Sequence, residues 1–476
     1  MPFVFGALLL LALVVGYGAP SHAADDGLRE EAVRFESGGV TLHGTVLVPE
    51  QASLPDRKPA IALVHGAGPH TREDQRDEAA AFARNGIVTL IYDKRSEGYS
   101  QIERSYELLA DDALAAADAL RGDHPEVDPD GVGLWGLSEG GWVVPIAAAR
   151  PEGREAVDFV VLVAASGVPP ARQHAWNLEN NLRHQGVSGS MVEAIARTGT
   201  RLLVGAGLFA EANHDPVAPL EHVRQPVLAL WGEKDRIQPP AESARILREA
   251  LERSGNTSYE IRFFPDAEHG LRSSPDGFAT SEQLAPGYAE TVTSWVKEAA
   301  RGEAPGRSIA GPVPEQARPS RPLPPLAWWE SAWVQLGAIA VSALALASYP
   351  ATAMVHSLRR PMLRLADAKP DLPARRFARG LAFAGLAAIL GFVGYFGFLT
   401  FTAASAAGPV VAGRPIPWLA LQALAVAACL STVLLAATWR STTRASTGVE
   451  RSRIGILLLG GAVFVVWAAY WGLLSP

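Results

Sequence analysis

The chain carries a single cysteine, Cys429, among 476 residues. One thiol closes no disulfide within the chain and builds no cysteine-based zinc site, so neither device holds this fold together. Nor is there a His-Glu-x-x-His segment that would mark a metal-dependent hydrolase. No basic stripe runs through residues 1–300, where 26 Lys+Arg face 43 Asp+Glu, and that balance leaves no footprint for nucleic acid. Acidic residues are scarce in the remainder: residues 301–476 hold 6 of them against 16 Lys+Arg. Those arginines lie between long apolar runs, which is a membrane pattern.

Four runs, at about 332–350, 380–404, 416–438 and 454–474, have no Asp, Glu, Lys or Arg in their interior. Each is long enough to span a bilayer. Arg359, Arg360, Arg364, Lys369, Arg375 and Arg376 crowd the first connection, Arg414 stands alone in the second, and Arg440, Arg444, Arg451 and Arg453 surround the third. The positive-inside rule puts the first and third connections in the cytoplasm and residues 1–300 outside it. The N-terminus agrees. Residues 1–23 combine an apolar stretch, Phe3 to Tyr17, with a small-x-small cleavage site at Ser21-His22-Ala23, although no Lys or Arg precedes the stretch. A cleaved signal peptide is expected there, with an uncleaved anchor as the rival reading, and the lack of a following cysteine excludes a lipoprotein anchor.

Between these regions the chain alternates strand and helix signals. Val40, Leu42, Val46 and Val48 share one side of an alternating segment, and short apolar runs follow at Ala60–Val64, Ile87–Tyr92, Phe159–Val163, Pro226–Trp231 and Tyr259–Phe264. Helical patterns fill Arg72–Asn85, Tyr106–Arg121, Ala241–Arg253 and Tyr288–Ala300. Such alternation predicts an α/β domain over residues 31–300, with a mostly parallel sheet covered on both faces. From 167 to 225 the strand rhythm stops in a mostly helical insertion, expected to be a lid. Residues 301–326 hold seven prolines and read as a linker without a core. A four-span all-α bundle is expected over 327–476.

The centre of the domain is Gly136-Leu137-Ser138-Glu139-Gly140-Gly141, between an apolar run and an Ala-rich helical segment. Strand, Gly-x-Ser-x-Gly turn and helix form the context of a nucleophile elbow. A serine hydroxyl is a weak nucleophile and needs a base oriented by an acid. Two later strand ends supply such groups: Asp235 follows Pro226–Trp231, and His269 follows Tyr259–Phe264. Asp266 competes with Asp235, but three residues from His269 it suits loop shaping better. His65-Gly66-Ala67-Gly68 follows an early strand. Asp111 and Asp112 read as a solvated helix face.

With these pieces, and with Asp93-Lys94-Arg95, Gly98, Ser100, Gly232 and Gly270, residues 31–300 resemble an α/β-hydrolase of the dienelactone-hydrolase and serine-aminopeptidase-like branches. The resemblance implies Ser138 as nucleophile, His269 as base and acid, and Asp235 as orienting acid. It also implies an oxyanion hole from the backbone N–H groups of Ala67 and Glu139. No cofactor and no metal is expected; His65 most simply holds the oxyanion loop. The expected partners are a small-molecule acyl substrate and the lipid bilayer, with no nucleic acid. A peptidase of the same fold, or an idle hydrolase-fold module serving a transport or signalling bundle, is the alternative. Spans without ionisable residues speak against transport.

Overall fold

The computed structural model describes residues 27–50, 52, 56–314, 316, 318–359, 372–439 and 448–476. The expected signal segment and much of the arginine-rich first and third connections lie outside the described residues.

A hairpin opens the domain. Strand β1 (Leu28–Ser37) turns at Gly38 and Gly39 into β2 (Val40–Pro49), and the two pair antiparallel along their whole length. Both glycines have positive φ, 57° and 82°, as a tight two-residue hairpin turn demands. Then come β3 (Lys58–Val64), β4 (Val88–Tyr92), β5 (Val127–Leu137), β6 (Phe159–Val163), β7 (Val227–Gly232), β8 (Tyr259–Phe264) and β9 (Ser308–Ala310). The sheet order is β1-β2-β4-β3-β5-β6-β7-β8-β9, antiparallel from β1 to β4 and parallel beyond. Strands β4, β6 and β7 are buried at every position, because helices cover both faces of a parallel sheet.

The covering helices are α1 (Arg76–Arg84), α2 (Tyr106–Asp123), α3 (Gly140–Ala149), α4 (Pro151–Ala156) and two more past an insertion. The insertion itself holds α5 (Pro170–His184), α6 (Ser190–Val192), a π-helical stretch at Glu193–Gly199, α7 (Thr200–Gly205) and α8 (Val217–Leu220). Helices α9 (Pro240–Ser254) and α10 (Tyr288–Ala300) flank β8. At the C-terminus, α11 (Ala332–Arg359), α12 (Leu372–Phe401), α13 (Ile416–Ala437) and α14 (Gly448–Tyr470) are long and apolar enough to cross a membrane. Small residues let them approach: a Cβ on Gly385 would come within 2.5 Å of Leu346, and one on Gly460 within 2.5 Å of Ala345. Gly394 faces open space.

Four features depart from the expectations. First, β1 is a strand that its charged sequence hides: only Val33, Phe35 and Ser37 turn inward, as befits an edge. Second, the proline-rich segment is not an idle linker. Its residues 308–310 add β9 to the sheet, and Arg318 O and Ser320 accept hydrogen bonds from Trp176 and Arg172 of α5. Third, Asp112 is not solvated. It is 1% exposed and grips Arg95 through Oδ2 at 2.7 Å and Oδ1 at 2.5 Å, while Asp111 pairs with Arg150. An amphipathic reading of α2 misses this because the partner cation comes from the loop after β4. Fourth, the insertion does more than cover the sheet. Leu178, Leu182, Met191 and Ile195 share one apolar core with Phe392, Trp418 and Trp471 of the C-terminal helices.

Candidate active site

The chain reverses at the end of β5 in a single residue. Ser138 has φ 56°, a left-handed conformation that costs a non-glycine residue roughly 1–2 kcal/mol. The glycines on either side are required by contact distance. A Cβ on Gly136 would lie 2.4 Å from Gly140 O, and one on Gly140 would lie 2.6 Å from Val64 O. Glu139 caps α3, so its backbone N–H is among the free donors at the start of that helix. The loop after β3 runs alongside: a Cβ on Gly66 would sit 3.5 Å from Ser138 Cβ. Ala67, the other expected oxyanion donor, is the next residue of that loop.

The expected acid and base meet. Asp235, three residues past β7, is 0% exposed. Its Oδ1 accepts the backbone N–H groups of Ile237 and Gln238, each at 2.8 Å. Its Oδ2 lies 2.9 Å from His269 Nδ1. Asp266 instead receives the Lys234 ammonium and is largely exposed. Ser138, Asp235 and His269 thus follow β5, β7 and β8, all at the C-terminal edge of the parallel sheet, where this architecture gathers ligands. Burial lowers the His269 pKa, but the charge and hydrogen bond of Asp235 outweigh it, and the net shift is upward. With Nδ1 committed to Asp235, Nε2 is left to exchange a proton with a reacting group.

His65 is neutral at physiological pH, since burial brings its pKa down to about 4. It lies 2.6 Å from Tyr92 O and stacks on His70, which fixes the loop carrying Ala67.

A group of site residues escaped the sequence reading. The Glu139 carboxylate is 0% exposed and collects Lys94 Nζ at 2.6 Å, Tyr99 OH at 2.9 Å and the Arg104 guanidinium. Lys94 Nζ also donates to Gly66 O at 2.6 Å, and Tyr99 OH accepts from Gly68 N at 2.9 Å. Gly66 C=O and Ala67 N–H belong to one peptide, so a cation on the oxygen polarises the N–H at its other end. The network therefore ties both expected oxyanion donors together, with two cations for one carboxylate. Arg104 also lies over the Phe209 ring of the insertion. The signal in the sequence was the Asp93–Ser100 loop, noted there without a role for Lys94.

Among the described residues, Glu31, His124 and Glu126 could together hold a metal ion. Arg29 already bridges their two carboxylates, at 3.0 and 2.7 Å, and the group lies at the opposite end of β5 from Ser138.

The mostly parallel sheet order, the elbow between β5 and α3, and the placement of Asp235 and His269 on later strand ends are those of the α/β-hydrolase fold. Residues 115–279 match the family described as BAAT / Acyl-CoA thioester hydrolase C terminal. Esterase EstD of Thermotoga maritima is 24% identical over 284 residues, 54% of this chain and 65% of that protein. Thiohydrolase aneE of Aspergillus aculeatus is 34% identical over 87 residues, 17% of this chain and 27% of that protein. The chain thus spans less than two thirds of either curated relative. Among solved structures, dienelactone hydrolase from Anabaena variabilis superposes with a TM-score of 0.37 at 20% identity, covering 59% of this chain and all of that one.

Proposed function

We propose that this protein is a membrane-anchored serine hydrolase that cleaves an acyl ester or thioester outside the cytoplasm. The observation that carries the reading is the 2.9 Å contact between His269 and a fully buried Asp235, at the same sheet edge as the strained Ser138. Ser138 Oγ attacks the carbonyl carbon while His269 Nε2 takes its proton, and Asp235 orients and stabilises the resulting imidazolium. The N–H groups of Ala67 and Glu139 receive the oxyanion. Collapse expels the alcohol or thiol with the proton from His269, and water then releases the acid by the same route in reverse.

The thioester branch draws support from the acyl-CoA thioester hydrolase family match and from the thiohydrolase relative; the ester branch draws it from EstD. Amide cleavage is the remaining branch. An idle binding module would have no use for a left-handed Ser138 or for a desolvated Asp235 against His269. The outward orientation rests on the arginines: Arg375, Arg376 and Arg379 start α12, and Arg451 and Arg453 start α14. The hydrolase domain contacts the other ends of these helices, at Ala403, Ala404 and Gly472.

Labelling with a fluorophosphonate tests the nucleophile. The wild type should be modified at Ser138, and Ser138→Ala should not react. Continued reaction of Ser138→Ala removes Ser138 from the mechanism.

A further inference from the structure

A chain of hydrogen bonds joins the C-terminal bundle to the acid of the active site. At one end is the connection between α12 and α13. There Ala403 and Ala404 are consecutive left-handed residues, with φ 46° and 57°, a conformation that alanine rarely adopts. Their carbonyls point at the insertion. Asn181 Nδ2 of α5 donates to Ala403 O at 2.8 Å, and Gln185 Nε2 donates to Ala404 O at 2.7 Å. Gln185 Oε1 in turn accepts from Ala407 N at 2.7 Å. Two amide side chains at the end of α5 thus hold a strained turn by three hydrogen bonds.

The other contacts of α5 reach the active site. Gln173 Nε2 donates to Ile237 O at 2.5 Å, and Asn180 Nδ2 donates to Arg236 O at 3.0 Å. These two carbonyls belong to the loop that holds Asp235. The N–H of Ile237, with that of Gln238, clamps Asp235 Oδ1, and Asp235 Oδ2 meets His269. One helix therefore touches the bundle through Asn181 and Gln185 and the acid loop through Gln173 and Asn180. It is fixed at both ends: Arg172 pairs with Glu242 and bonds Ser320, and the His184 ring stacks on Phe278 at 3.7 Å.

We infer that α5 makes the bundle a working part of the hydrolase: the α12–α13 connection sets the position of Asp235, and so the basicity of His269. Asn181, Gln185, Gln173 and Asn180 are positioning residues, since none of them touches Asp235 or His269 in the bonds described. The inference rests on the serine-hydrolase reading above. It extends that reading by giving the four apolar helices a part in catalysis besides anchorage. A change in helix packing, from bilayer thickness or from a ligand between the helices, would reach the catalytic acid through a few hydrogen bonds rather than through diffuse contacts.

The test uses the full chain in lipid nanodiscs, with a short p-nitrophenyl acyl ester as substrate. Competent sites are counted by fluorophosphonate titration, so that turnover is expressed per folded site. Asn181→Ala/Gln185→Ala should lower kcat between roughly tenfold and a hundredfold with KM unchanged, as misplacement of a catalytic group does. It should also move the acidic limb of the kcat/KM profile to lower pH, because a poorly placed Asp235 supports the imidazolium less. Gln173→Ala/Asn180→Ala should do the same. Combining all four changes should cost less than the sum of the two pairs, because both pairs act along one path. Wild-type kcat and an unmoved acidic limb in Asn181→Ala/Gln185→Ala overturn the inference, and so does strict additivity. Wild-type enzyme that fails to label at Ser138 would instead sink the serine-hydrolase reading itself, so the two failures are told apart.

Discussion

Replacing Glu139 by Gln keeps the backbone N–H expected to face the oxyanion and nearly the same side-chain shape, but deletes one buried charge. The carboxylate is fully buried and serves Lys94, whose side chain is 4% exposed, and Arg104, at 8%. Without it two cations share a desolvated space. Breaking a buried pair by removing one partner costs about 3–5 kcal/mol. A ceiling comes from Lys94 giving up its proton: from a lysine reference of about 10.4, neutralising it at pH 7 costs about 4.6 kcal/mol at 1.36 kcal/mol per pKa unit. The expected destabilisation is therefore about 3–4.6 kcal/mol. At ~2–4 °C per kcal/mol this lowers the melting temperature by roughly 6–18 °C. The pH dependence has a definite sign. Burial already lowers the Lys94 pKa, with Glu139 opposing it. In Glu139→Gln that opposition is gone, so the folded-state Lys94 pKa falls further below the unfolded one, and between those two values the unfolded chain binds more protons than the folded one. Stability then rises with pH more steeply than in the wild type. Tryptophan fluorescence melts of the full chain between pH 6 and pH 10 measure both effects, and adding Lys94→Met should recover part of the loss. A melt within a degree of wild type at every pH would refute the reasoning.

Asp235→Asn should reduce turnover by about 10⁴ through the wrong histidine tautomer, while Asp266→Asn stays within a few-fold; steady-state kinetics that reverse this ranking would give the acid role to Asp266. The kcat/KM profile should rise with pH as His269 loses its proton, with its midpoint above 6.5 because the net shift of His269 is upward; a midpoint at or below that value contradicts the Asp235–His269 coupling. Alkaline phosphatase fused after Pro325 should be active in cells and fused after Arg359 silent, and the opposite pattern would put Ser138 in the cytoplasm.

Much of this molecule could be read from its sequence because it is written in local signals. Strands β4, β6 and β7 are short apolar runs, and Ser138, Asp235 and His269 stand on turns at strand ends. What stayed hidden depends on contacts across long separations. Glu139 meets Lys94 across 45 residues and Arg104 across 35, and nothing local to either cation marks it as buried. Asp112 looked like its half-buried neighbour Asp111 until the loop after β4 delivered Arg95. Strand β1 alternates charged residues with Val33 and Phe35, so its pattern is that of an edge seen from outside. Strand β9 is three residues long and sits among prolines that argue against any strand. The docking of α5 on the bundle rests on amide side chains, and Asn or Gln on a helix announces no partner.

The ninth strand also decides where this protein can be cut. Strand β8 is an interior strand only because Ser308–Ala310 lies beside it, pairing with Glu260, Ile261 and Arg262. A soluble version ended after the last covering helix, at Ala300, would leave Ile261 and its neighbours with unpaired backbone groups along an open edge. Such an edge recruits strands from other molecules. Material made that way should therefore self-associate, whereas material carried on to Leu326 keeps the edge closed.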